Sequence, residues 1–397
     1  MSSFKNVTMQ LSDNDKFLQK KLALLKKKSG THSPSIQTLR DKLPELSIQV
    51  DACFLSNPYA TDLFLRRFET DIVTKDLLRD LLEYYPSQNA ALSEPLSVAL
   101  QIPKANIFVG NGAAEVIQAC MHRFVNRKII VIIPTFSSYY EFVKPGVEVV
   151  YYQLRAEDNF ELDIEDYIRF VRKEDPDAIV LINPNNPTGN LLKKKDIRRI
   201  VEEFSYIDTI LLDESFIHFA FEDDSYEHVS SAGLVNQSDN LIIIKSMSKD
   251  FGVAGIRVGY GIMSDQRVLD LLGNGFLWNS NGLAEYFVKL YAEEGFRTDY
   301  EPLRRRFIGE TQSFYTDMAG IGVGKVYPTQ ANFLLYELPA GISSEQLNAQ
   351  LLIRFGIYTR SLNDKIGLQG EYLRVASRGI QENKIILHAL ENILKEG

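Results

Sequence analysis

Cysteine is nearly missing from the 397 residues: there are two, Cys53 and Cys120. Two thiols cannot build a disulfide framework, and they fit a reducing compartment. Histidine is sparse too. His32, His122, His218, His228 and His388 are scattered without metal-ligand spacing, so no metal site is expected. Positive charge is in the minority, with 44 Lys and Arg against 52 Asp and Glu and a net charge of −8. That balance argues against a general polyanion binder, because nucleic-acid affinity rests on basic side chains neutralising phosphates. Long apolar runs are lacking: stretches such as 129–133 are far too short to span a bilayer. Residues 1–28 contain no apolar core of a secretory signal. The expectation is a soluble, cytoplasmic protein with neither a membrane nor a nucleic acid as partner.

What is present is the composition of a globular enzyme, on a chain long enough for one large domain and a smaller one. Residues 1–50 read as a polar N-terminal arm. Within it, 16–28 carries Phe17, Leu18, Leu22 and Leu25 at helical spacing among six lysines. Such a helix can touch a membrane or a partner, or simply pack by its leucine stripe, and the packing reading is preferred. From about residue 80 to 290, short β-branched runs recur at 107–110, 128–134, 147–154, 178–183, 209–213, 241–245 and 257–263. Most are continuously apolar, as strands buried on both faces must be. Helical stretches such as 192–204 fall between several of them, which predicts a mostly parallel α/β sheet of seven strands with helices on both sides. Domain boundaries are placed at 51–290 for the large domain, with packing of its first part against the small one as the alternative, and 291–397 for a smaller α+β C-terminal domain. There, 344–355 and 381–394 are helix-like and 332–338 is strand-like.

In open α/β sheets, ligands bind beyond the carboxyl ends of the strands. Chemistry-bearing residues collect there. Gly110-Asn111-Gly112-Ala113-Ala114-Glu115 joins the first strand to a helix, where small residues and free N–H groups bind an anion. A glycine turn made for packing fits the same residues. The third glycine of a dinucleotide fingerprint is replaced by Glu115, which leaves a nicotinamide-dependent dehydrogenase only a remote alternative. Residues 320–325 are not a P-loop, since Ala319 and Val326 stand at its glycine and hydroxyl positions. Residues 183–189 put three asparagines and two prolines into one turn, either a strand stop or a rigid loop presenting an amide. Asp213 ends an apolar strand, where an unpaired carboxylate is costly. It is a helix cap, a salt-bridge partner, or a carboxylate held against a cationic ring nitrogen. Lys249 follows another buried run, flanked by Ser246, Ser248 and, eight residues on, Arg257. Hydroxyls and an arginine bind phosphate, and an amine desolvated among cations becomes a carbonyl nucleophile.

Asn-Asn-Pro-Thr-Gly, Asp-Glu-Ser-Phe and Ser-Met-Ser-Lys with Arg257, taken in order, resemble the fold-type-I pyridoxal-phosphate enzymes of the class I/II aminotransferase family. The resemblance runs from about Ser56 to the C-terminus. It implies the three-layer PLP-transferase fold and pyridoxal 5′-phosphate as cofactor. It implies Lys249 as the Schiff-base lysine and Asp213 as the partner of the pyridinium nitrogen. Asn186 would bond the ring hydroxyl oxygen and Phe136 would stack on the ring. The N–H groups behind Gly112, those of Ala113 and Ala114, would hold the cofactor phosphate with Ser246, Ser248 and Arg257. Tyr85 matches a tyrosine lent to the neighbouring subunit's phosphate site, which implies a homodimer with shared active sites. Asn57 resembles the family's substrate-side Asn-Pro loop, with Ala60 where glycine is usual, and 278–281 resembles another pocket-lining stretch.

Within the family the motifs are similar to histidinol-phosphate aminotransferases and threonine-phosphate decarboxylases. By that likeness Arg374 grips the substrate α-carboxylate and Arg360 faces a substrate phosphate, while Arg378 is either a third anion contact or a surface ion pair. The expected reaction is transamination of a small acidic or phosphorylated amino acid, with a keto acid as partner. That ranking rests on the breadth of the family and not on a residue. The alternative is α-decarboxylation of a phospho- or phosphono-amino acid. Phe216 favours it, standing where the aminotransferases carry a tyrosine whose hydroxyl bond is worth about 1 kcal/mol.

Overall fold

The computed structural model describes residues 12–223, 225–276 and 278–395. They divide into two compact units, one of residues 56–186 and 190–308, the other of residues 12–55, 187–189 and 309–395. The N-terminal arm therefore groups with the C-terminal part of the chain. The division falls at residues 55 and 308, where the sequence pattern had placed it at 50 and 290.

The large unit is built on a seven-stranded sheet. Its strands, from one edge to the other, are Ile107–Gly110, Gly259–Ile262, Leu241–Ser246, Thr209–Asp213, Ala178–Ile182, Lys128–Ile133 and Glu148–Gln153. All neighbouring pairs are parallel except those made by Gly259–Ile262, which runs antiparallel to both its neighbours. The run expected at 257–263 is shorter because Arg257 takes a left-handed backbone, φ +61°, which a strand cannot continue through. In Ala178–Ile182, Thr209–Asp213 and Leu241–Ser246 every residue is buried. Side chains alternate between faces along a strand, so burial of all of them requires cover on both sides, as three layers provide. One such layer is formed on Val116, Ile117, Cys120 and Met121 of the Ala113–Phe124 helix, which cluster with Val131, Val180, Leu211 and Ile242. The edge strand Glu148–Gln153 is mostly open and alternates less cleanly.

The smaller unit is α+β. Strands Arg360–Ser361, Tyr372–Ala376, Phe333–Glu337 and Lys325–Val326 form an antiparallel sheet in that order. A second, two-stranded sheet pairs Val50–Asp51 in parallel with Ile357–Tyr358. The arm helix, Asp13–Lys28, starts at a capping box in which Ser12 and Asp15 exchange backbone hydrogen bonds. Leu18 and Leu22 are buried in a cluster with Leu39, Ala349, Leu352 and Tyr358. Burying a leucine stabilises by about 2 kcal/mol, so the stripe is accounted for by packing. Phe17, on the same stripe, remains exposed. Among the described residues no helix is long and apolar enough to cross a membrane.

Candidate active site

The strands' carboxyl ends gather the large-unit residues singled out above. Asp213 is 4% exposed, and its carboxylate is held by two donors. The Tyr139 hydroxyl donates to Oδ2 at 2.8 Å and the Ser215 N–H to Oδ1 at 2.8 Å. Tyr139 is fully buried, and burial, then the Asp213 charge, pushes its phenol well above the ordinary range, so it stays a donor.

Lys249 is part-buried and donates from Nζ to Ser246 Oγ at 3.1 Å, with Nζ 5.9 Å from the centre of the Phe216 ring. Burial lowers its amine to about 8; the charges of Asp213 and Asp250 oppose that, while Lys245 and Arg257 add to it. The result is an amine that is largely free at mildly alkaline pH, as a carbonyl nucleophile must be. The following turn is pinned by backbone: the Asn57 N–H donates to Lys249 O at 2.9 Å, and the Thr61 hydroxyl to Gly252 O at 2.9 Å. Gly252 has φ +61°, and a Cβ there would lie 2.1 Å from Thr61 Oγ1.

The start of the Ala113–Phe124 helix has the form a small anion needs. The Ala113–Phe124 helix begins after Gly112, φ +83°, with no side chain capping its first N–H groups. A Cβ on Gly112 would lie 2.4 Å from Nη2 of Arg257, so glycine is what lets the guanidinium approach the helix start. Ser246 and Ser248 are buried, 1% and 4% exposed, and the Ser248 N–H donates to Ser246 Oγ at 3.3 Å. Glu115 is no failed glycine: its Oε2 accepts the Asn111 N–H and Asn279 Nδ2, each at 2.7 Å, and so braces the loop. An uncapped helix start, two hydroxyls and a guanidinium, next to a low-basicity amine and a buried carboxylate, fit the phosphate, aldehyde and ring nitrogen of pyridoxal phosphate. Phe136 packs at the edge of the core and Asn186 is nearly buried. The loop of Asn186 is anchored by Asn185, which accepts the Thr135 hydroxyl at 2.9 Å and donates to Pro134 O at 2.9 Å.

Asn57 has a local task beside the substrate-side one expected of it. Fully buried, it caps the Pro58–Phe68 helix through Tyr59 and Ala60 N–H groups, while its Nδ2 has no hydrogen-bond partner among the described residues. Tyr85 is 85% exposed, its ring 5.8 Å from that of Trp278, which is 54% exposed.

The three arginines belong to the smaller unit. Arg360 and Arg374 stand opposite each other in the antiparallel register. Arg360 is 4% exposed, binds both carboxylate oxygens of Asp364 at 2.7 and 2.9 Å, and donates to Thr31 O at 2.8 Å. It lines a cavity of about 530 Å³ together with Lys26, Ser33, Asn348, Thr359 and Asp364. Arg374 donates to Cys53 O at 2.8 Å, and burial, with Arg360 adding to it, lowers its guanidinium to about 10. Arg378 pairs with Glu382 at 3.0 Å.

Residues 71–389 match the model of the aminotransferase class I and II family. The chain belongs to that family. It is a pyridoxal-phosphate-dependent enzyme of the aminotransferase superfamily's fold. It is 51% identical to the L-serine phosphate decarboxylase of Campylobacter jejuni over 388 residues, covering 98% of this chain and 100% of that one. The solved structure of a decarboxylase from Sulfurospirillum multivorans superposes with a TM-score of 0.92 at 42% identity, covering 97% of this chain and 98% of that one. The histidinol-phosphate aminotransferase of Sinorhizobium meliloti, solved with pyridoxal-5′-phosphate, shares the fold alone: TM-score 0.74, 17% identity, 92% and 95% covered. The relatives of high identity carry decarboxylase names. The keto acid expected as a partner finds no support among them, and the balance moves from transamination to the alternative.

Sequence reasoning missed Tyr139, Ser215, Lys245 and Asp250. Of these only Lys245 and Asp250 left a signal, as a charge inside a buried strand and one in the turn that follows it.

Proposed function

We propose that this enzyme removes the α-carboxyl group of L-serine phosphate as CO₂, leaving the phosphorylated amine with a proton at the former α-carbon. The observation that carries the reading is the 51% identity, over nearly the full length of both chains, to an L-serine phosphate decarboxylase. Phe216 agrees with it, being buried beside Lys249 where aminotransferases of the histidinol-phosphate type have a tyrosine.

In this reading Lys249 holds the cofactor aldehyde, and its lowered basicity favours both attachment and release. Asp213, fixed by Tyr139 and Ser215, would pair with the ring nitrogen, Asn186 would bond the ring hydroxyl and Phe136 would cover the ring. The Ala113 and Ala114 N–H groups after Gly112, with Ser246, Ser248 and Arg257, hold the cofactor phosphate. When bound, pyridoxal phosphate supplies the electron sink for the pair left by the departing carboxylate. Arg374 orients the substrate α-carboxylate, and Arg360, with Arg378 as a further anion contact, takes the substrate phosphate. Asn57 stands on the substrate side as the neighbour that fixes the Lys249 turn. Two copies form the working unit, and the exposed Tyr85 is the group one copy lends to the other.

The test is incubation of the holoenzyme with L-serine phosphate, L-threonine phosphate and unphosphorylated L-serine. Stoichiometric CO₂ and phosphorylated amine, with the phosphoserine preferred, is the expected result. Keto acid and pyridoxamine phosphate without CO₂ would return the function to transamination.

A further inference from the structure

A second lysine lies four residues before Lys249, and the reaction described above gives it no task. Lys245 is 3% exposed, at the end of the Leu241–Ser246 strand. An unpaired ammonium there would be prohibitive. Its Nζ makes an ion pair with Oδ2 of Asp250, itself fully buried, and donates to Ser215 O at 3.3 Å.

Both partners lead to groups already described. Ser215 is the residue whose N–H holds Asp213, and its Oγ accepts the Ser246 N–H at 3.2 Å. Asp250 is bonded in sequence to Lys249. Lys245 thus bridges the segment that carries the ring-nitrogen carboxylate and the segment that carries the cofactor amine. Oδ1 of Asp250 has no hydrogen-bond partner among the described residues, and Nδ1 of His218, 3.6 Å from Oδ2, has none either.

We propose that the buried Lys245–Asp250 pair is a positioning device for Lys249, fastening the Asp213 segment to the Lys249 segment and setting the proton affinity of the Lys249 nitrogen. This rests on Lys249 being the cofactor lysine.

The surrounding charges define the sign. Asp250 and Asp213 raise the Lys249 amine, while burial, Lys245 and Arg257 lower it. The effect of Asp250 exceeds that of Lys245. Removing the carboxylate therefore lowers the Lys249 nitrogen's proton affinity, whether Lys245 then keeps its proton or gives it up. His218 cannot substitute as a counter-charge: burial, then Lys245, His228 and Arg304 hold its imidazole well below the ordinary range. Glu214, buried and raised by desolvation, is tied to Ser230 and the Ser231 N–H. Tyr260, Tyr291 and Tyr300, which also feel Asp250, are all raised and remain neutral.

The experiment is a pH titration of the visible absorbance of the lysine-bound cofactor in the holoenzyme, with kcat and KM measured in parallel. Asp250→Asn should lower the titration midpoint by about one pH unit or more. Asp250→Ser takes its place should the amide fail to fold. Lys245→Met, which cuts the link to Ser215, should depress kcat with little change in KM, and Lys245→Arg should recover most of the loss. Ile179→Ala, in the strand next but one, should cost stability without moving the midpoint. An unmoved midpoint in both Asp250 variants, or an equal shift in Ile179→Ala, would overturn the inference. Persistence of the visible band in Lys249→Ala would instead overturn the assignment of the cofactor lysine.

Discussion

Asp213 and Lys249 of the large unit and Arg360 and Arg378 of the smaller one are held in opposite ways. In the large unit, Asp213 is held by neutral donors, Tyr139 and Ser215, and Lys249 by a hydroxyl, Ser246. Neither takes an oppositely charged side chain as its hydrogen-bond partner in those contacts. In the smaller unit, Arg360 and Arg378 pair with their own carboxylates, Asp364 and Glu382. On the proposed assignment, the first arrangement serves a cofactor that stays bound. The second suits a ligand that comes and goes, since exchanging one anion for another avoids exposing a buried guanidinium unpaired. A resident group and a transient one call for different electrostatics.

The sharpest way to break the comparison is at its centre. Lys249→Ala should reduce turnover by on the order of 10⁴-fold and abolish the visible absorbance of the lysine-bound cofactor, with the circular dichroism spectrum unchanged. Retained absorbance would mean that another lysine holds the cofactor.

Arg360→Ala tests the other side. Each charge-assisted hydrogen bond lost is worth about 1.5–3 kcal/mol, so kcat/KM for a phosphorylated substrate should fall about 10²-fold. Unphosphorylated serine should lose far less. Equal loss for both would mean that the guanidinium, with Asp364 and Thr31, only supports the local fold.

The arm supplies a third test, of stability and not of chemistry. Leu22→Ala removes a buried side chain from the cluster with Leu39, Leu352 and Tyr358 and should cost about 2–4 kcal/mol in denaturant unfolding. Phe17→Ala, on the exposed part of the same helix, should cost little. A comparable loss at Phe17 would assign the stripe a contact beyond the packing described.

How much of this was legible follows from the physics of each feature. The strands of the sheet were readable because burial on both faces demands unbroken apolar runs, and Thr209–Asp213 coincides with its expected bounds. Lys249, Asp213 and Gly112 were readable because they stand at strand ends, where the topology concentrates ligands. Tyr139 was not: its task is a single hydrogen bond to a residue 74 positions away, and nothing local marks it. Lys245 read as the tail of an apolar strand, because its partner Asp250 lies beyond the lysine that drew attention. The arm's place with the C-terminal part was hidden too, since the pairing of Val50–Asp51 with Ile357–Tyr358 joins segments more than 300 residues apart.

The smallest expected effect concerns protons. With its amine lowered to about 8 by burial, Lys249 in the apoenzyme is mostly neutral above that pH and mostly protonated below it. Only the neutral amine attacks the cofactor aldehyde, so the rate of cofactor capture by apoenzyme should rise about tenfold per pH unit below that value and level off above it. An ordinary lysine, with a model value of 10.5, would keep gaining through pH 9 and 10. The same depression has a stability consequence of fixed sign. Between about 8 and 10.5 the unfolded chain binds the proton that the folded chain has released, so this group makes the apo fold more stable as pH rises through that window. Stopped-flow capture rates across pH 6.5 to 10 decide the matter. A profile still climbing at pH 10 would mean that Asp213 and Asp250 outweigh burial, and the large unit would then hold its lysine as a paired charge, as the smaller unit holds Arg360 and Arg378.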